Sequence, residues 1–105
     1  MIKVNYYYNS DFMLKGFCLK GHADYAEAGY DIVCSAIKSN AVAVINSLDR
    51  LQKGEFEKVV AEEAHIECIV NDTYIKEAQL LLEHFQLFIE EIKRQYPQNI
   101  KILKK

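Results

Sequence analysis

The 105-residue sequence predicts an α+β fold of two layers, a largely antiparallel sheet packed with two helices. The expected order is strand-strand-helix-strand-strand-helix-strand. Three observations carry this. Two regions show period-two alternation on both sides of a turn, two longer regions carry apolar stripes at helical spacing, and no linker, repeat or low-complexity run divides the chain. Residues 1–105 therefore read as one domain built around a single core.

Ile2, Val4, Tyr6 and Tyr8 alternate with Lys3, Asn5 and Tyr7, the signature of a strand. Asn9-Ser10-Asp11 supplies turn chemistry, and residues 12–20 form the returning strand of an opening hairpin. The segment from Gly21 to Asp31 breaks any period. From Ile32 the period is helical, with Val33, Ile37, Ala41, Val44, Leu48 and Leu51 on one stripe. Asp31 is the expected N-cap and Gly54 the helix-ending glycine. Residues 56–63 and 65–71 form a second hairpin with its turn near Glu63-Ala64. Asn71-Asp72-Thr73 offers cap residues for a helix whose apolar face is Ala78, Leu81, Leu82, Phe85, Phe88, Ile89 and Ile92. Pro97 stops it, and Ile100 to Leu103 make a short last strand at a sheet edge.

Half of the residues are hydrophobic and 27% are charged, the balance of a folded protein rather than a disordered one. A formal net charge of −2, with lysines and arginines scattered, argues against direct nucleic-acid binding through a basic surface. No apolar run reaches the roughly 20 residues needed to span a bilayer, so no membrane partner is expected. The start, MIKVNYYYN, lacks the apolar stretch of a signal peptide, and the cytoplasm is the expected location. Cys18, Cys34 and Cys68 are odd in number and lack CxxC spacing, so free thiols are expected. His65, near the hairpin turn, and His84, off the helix stripe, have no partner at metal-ligand spacing in the sequence. Neither a metal nor a cofactor is expected.

His22 and Cys34 bracket the irregular segment GHADYAEAGYDIVC. If Asp31 is the cap, Cys34 lies in the first helical turn, where free N–H groups and the helix dipole favour a thiolate. His22 follows a strand end, where it could act as general base and then as acid to a leaving amine. Gly21 and Gly29 would let the segment hinge over a peptide. Asp31 opposes the thiolate unless its charge is taken up by the helix start or by His22. The bland alternative is a cysteine that simply fills a core position, and three histidines with three cysteines allow nine such pairs.

The stretch GHADYAEAGYDIVCSA, residues 21–36, resembles the signature of the ribosomal-processing cysteine protease family, Prp. That family carries a Gly-His-Ala…Gly-x-Asp-Ile-Val-Cys-Ala pattern, and the resemblance extends over nearly the whole chain. It implies a homodimeric cysteine protease whose substrate is a ribosomal protein precursor, the large-subunit protein numbered twenty-seven, carrying an N-terminal extension. By the same resemblance His22 is the catalytic histidine and Cys34 the nucleophile, with Gly21, Gly29 and Asp31 shaping the site. Aromatic residues precede the cleavage point in such substrates.

This sequence departs from the family where a serine usually follows the cysteine by four residues. Here that position is Lys38, and Ser35 replaces a common alanine. Lys38 lies one turn along the helix face from Cys34, so its ammonium could approach the thiol, obstruct substrate or reach solvent. It is also the one feature favouring a second function, a catalytically inactive ribosome-associated binding protein of the same fold. A third reading is a thiol redox sensor at Cys34. Tyr6, Tyr7 and Tyr8 cannot share one strand face, so some aromatic surface faces a dimer partner, a peptide or water.

Overall fold

A computed structural model of the chain describes residues 1–21 and 30–104, with the side chains of all these except Tyr30, Asp31 and Lys104. The elements are β1 (Ile2–Tyr8), β2 (Leu14–Lys20), α1 (Tyr30–Arg50), β3 (Phe56–Glu62), β4 (His65–Val70), α2 (Ile75–Gln95) and β5 (Ile100–Lys104). Their order is the expected one.

The five strands form one sheet in the order β3-β4-β2-β1-β5. Three of the pairings are antiparallel and the edge strand β5 runs parallel to β1. Direct partners across a ladder share a face. The registers Val4↔Leu19, Tyr6↔Phe17 and Phe17↔Cys68 therefore put Ile2, Val4, Tyr6, Phe17, Leu19, Ile66, Cys68 and Val70 together on one side. Both helices close over that side. Val33, Ile37, Ala41, Val44 and Leu48 of α1 and Ala78, Leu82, Phe85 and Ile89 of α2 join the strand residues in one buried cluster. Phe17 and Phe85 meet with ring centroids 4.3 Å apart.

Several boundaries differ from expectation for identifiable reasons. The second strand begins at Leu14 rather than residue 12. Asn9 accepts the Asp11 and Met13 N–H groups through its side chain, and Phe12 takes a left-handed φ of 63°. The helix expected from Ile32 begins at Tyr30, so Asp31 lies inside it and is not the cap. Its far end is Arg50, which leaves Leu51 exposed and off the stripe. The left-handed residue after this helix is Lys53, with φ 52°, not Gly54. Gly54 is needed for space, because a Cβ there would stand 2.7 Å from the Tyr74 ring. The Asn71-Asp72-Thr73 caps are not used either. Tyr74 is the N-cap of α2 without a side-chain bond, and the Asn71 and Asp72 carbonyls accept from Tyr74 and Ile75.

Gln79 ties α2 to the start of β2, its amide accepting from the Leu14 N–H and donating to the Leu14 carbonyl. Lys93 closes the other end by donating to the Pro97 and Ile100 carbonyls. Phe85→Ala should cost about 3–5 kcal/mol in urea unfolding, since it empties a fully buried aromatic site. The neighbouring exposed His84→Ala should stay within about 0.5 kcal/mol of wild type.

Candidate active site

The chain reaches the site from two firm supports, the end of β2 and the first turns of α1. At the end of β2, Gly21 has a φ of +147°, a conformation that side chains rarely adopt. A Cβ there would also approach the Met1 carbonyl oxygen to 2.7 Å, while its N–H bonds the Ala64 carbonyl. Glycine is thus required where the chain leaves the sheet. His22 and Gly29 lie outside the described residues.

Cys34 is the fifth residue of α1, because the helix starts at Tyr30. Its own N–H therefore belongs to the intrahelical ladder, beyond the free groups of the first turn. The expectation that Ile32, Val33 and Cys34 open the helix is corrected accordingly. The helix dipole reaches Cys34 only weakly, since its influence fades within a turn. The thiol is 7% exposed and sits in the core cluster beside Val33 and Ile37.

Lys38, one turn onward, is half-buried. It borders a small niche of about 10 Å³, lined also by Leu19, Gly21, His65 and Ile66. The sequence-derived residues Gly21 and Lys38 thus line one cavity. Cys34 lies a helical turn from Lys38 along α1.

A second thiol also meets a histidine. On the sheet face turned away from the helices, Cys18 stands directly across from Glu67, and His65 lies two residues from Glu67 on the same strand. Ligand atoms of Cys18, His65 and Glu67 all lie within 4.8 Å of one another. His65 Nε2 is 2.9 Å from Glu67 Oε1, Lys58 Nζ is 3.1 Å from the same oxygen, and the Tyr7 hydroxyl donates to Oε2 at 2.9 Å. Burial raises the Cys18 thiol above its ordinary value and the Glu67 charge adds to this, against weaker opposition from Tyr7, Lys20 and Lys58. This thiol is poorly suited to nucleophilic attack.

Sequence reasoning missed this cluster and gave His65 no partner. The His65-x-Glu67 spacing on one strand face was readable, but the β2–β4 pairing that delivers Cys18 was not. Cys18 and Cys68 were both expected as core or half-core residues. Both are buried, but only Cys68 faces the helices, where burial pushes its thiol up to about 12.

A two-layer fold with a cysteine in the opening turns of a helix, beside a strand that ends on a required glycine, suits thiol chemistry on a peptide. Comparison with known proteins agrees. The family model for cysteine protease Prp matches residues 1–101. The ribosomal processing cysteine protease Prp of Staphylococcus aureus is 28% identical over 105 residues, covering 97% of each chain. The crystal structure of an essential ribosomal processing protease Prp from Staphylococcus aureus in complex with a substrate peptide gives a TM-score of 0.88 at 26% identity, with both chains wholly covered. SMU.848 from Streptococcus mutans gives 0.78 at 25% identity, covering 100% of this chain and 96% of that one. The protein is thus a cysteine protease by class. It belongs to the cysteine protease Prp family. Among the described residues, no helix is long and apolar enough to cross a membrane.

The Glu67 carboxyl has a pH signature. Its burial alone would raise it, but hydrogen bonds from Tyr7, Lys58 and His65 outweigh that and hold it below its ordinary 4.5. A carboxyl lowered in the folded state adds stability above its unfolded value and loses it as pH falls through the folded value. The resistance of wild type to urea should therefore fall as pH drops below 4.5. Glu67→Gln should lower stability at neutral pH and flatten this acid limb.

Proposed function

We propose that this chain is an endopeptidase that removes the N-terminal extension of the large-subunit ribosomal protein numbered twenty-seven. The observation that carries the reading is whole-chain similarity to the Staphylococcus aureus protease crystallised with a substrate peptide and, separately, with a covalently linked product peptide. The residues 21–36 match the family's motif, which assigns the nucleophile to Cys34 and the general base to His22. Gly21, Gly29 and Asp31 shape the site. The working protein is a homodimer in the cytoplasm, needing neither metal nor cofactor for cleavage.

In this mechanism His22 takes the thiol proton as the Cys34 sulfur attacks the scissile carbonyl carbon. The tetrahedral intermediate collapses to a thioester as His22 returns that proton to the leaving amine. Water then attacks the thioester, losing a proton to His22, and the thiol is restored as the acid product leaves.

Cys34→Ala and His22→Ala should each abolish trimming of a peptide spanning the extension, read by mass spectrometry. Trimming that survives either change would refute the assignment. Should cleavage disappear with Cys18→Ser and persist with Cys34→Ala, the Cys18–His65 pair would be the working dyad instead. The second reading, an inactive ribosome-associated binding protein, rests on Lys38 at the usual serine position. It requires that wild type bind the precursor peptide without cutting it, and that Lys38→Ser restore cleavage.

A further inference from the structure

We propose that Cys18, His65 and Glu67 form a binding site for a divalent cation of the zinc class on the helix-free face of the sheet. Three donors of zinc-compatible chemistry converge there, a sulfur, an imidazole nitrogen and a carboxylate oxygen. They come from two adjacent inner strands, with His65 and Glu67 two residues apart on β4 and Cys18 the direct partner of Glu67 on β2. Inner strands hold ligands more firmly than loops do.

The dimensions fit a modest rearrangement. Ligand atoms about 2.0–2.3 Å from a tetrahedral zinc lie roughly 3.3–3.8 Å apart. The three donor atoms lie within 4.8 Å of each other, and the closest pair, His65 Nε2 and Glu67 Oε1, stands at 2.9 Å. Seating the ion needs that pair to open by about half an ångström and the sulfur to close in. Tyr7, donating to Oε2, leaves Oε1 for the metal and holds the carboxylate in place, as outer-shell donors do. The sulfur selects zinc-like ions over magnesium or calcium. Three protein ligands leave a fourth position for water.

Lys58 is the opposing element, because its ammonium holds Oε1 at 3.1 Å. Its side chain is 52% exposed and can swing into solvent when the ion arrives. On binding, the Cys18 S–H proton passes to solvent, and His65 gives up its hydrogen bond with Glu67 for the metal. The site is separate from the Cys34 nucleophile, and zinc held there does not enter the cleavage reaction.

Cobalt is the probe, added to the full-length protein with its thiols reduced. Wild type should develop a thiolate-to-cobalt charge-transfer band at one equivalent, removed by added zinc. Calorimetry in buffers of different ionisation enthalpy should read one proton released per zinc. Cys18→Ser should abolish the band, and His65→Ala, at a half-exposed position, should do the same if the serine variant fails to fold. Lys58→Met should tighten binding, and Tyr7→Phe should weaken it about 10-fold or more. No band in wild type would overturn the proposal. So would a band that survives Cys18→Ser in folded protein, or one that Cys34→Ala removes.

Discussion

The antiparallel pairing of β2 with β4 is the constraint on which the rest depends. It runs from Gly16↔Ile69 to Lys20↔His65 and joins residues about fifty positions apart in sequence. Without it the β3-β4 hairpin would part from the β2-β1-β5 strands, leaving apolar faces too small to hold alone. With it, Phe17 and Leu19 line up with Cys68 and Ile66 on one side, and the two helices have a common surface to cover. Closing that long loop is entropically costly, and burial of the shared core offsets it.

The same pairing sets both faces of the chemistry. On the helix side it fixes where β2 ends, with Gly21 hydrogen-bonded to Ala64 just beyond β4's partner. The helix α1 carries Cys34 and Lys38. On the open side the pairing places Cys18 against Glu67, and a buried carboxylate in turn gathers Tyr7, Lys58 and His65. Cys18 faces the Glu67 carboxylate, and burial together with that charge raises its thiol.

Much of this was legible because local patterns are strong signals. Alternation in Ile2–Tyr8 and the stripe from Ala78 to Ile89 identified a strand and a helix, and the burial confirms the faces. Helix starts were less legible for a physical reason. Asp31 is favourable both as a cap and inside the first turn, where an acid also meets the positive helix end, so the sequence left the boundary open by two residues. Likewise Asn71-Asp72-Thr73 carry capping side chains, yet their backbone carbonyls do the work. Gly54 looked like a helix stop, but Lys53 took the left-handed position and the glycine makes room for Tyr74. Strand order, the parallel edge strand and the Cys18 cluster were not legible, since they depend on which hairpin faces which. For the proposed catalytic pair the residue pattern alone allowed nine combinations, and the choice of His22 with Cys34 rests on the resemblance to the family motif.

The central claim is that one thiol of three, Cys34, forms the covalent link to substrate. The direct measurement is tandem mass spectrometry of the wild-type protein after reaction with one equivalent of a substrate-sequence peptide ending in a chloromethyl ketone. The account predicts a single adduct on Cys34, blocked by excess uncleaved substrate. An adduct on Cys18 or Cys68, or labelling that substrate does not slow, would contradict it.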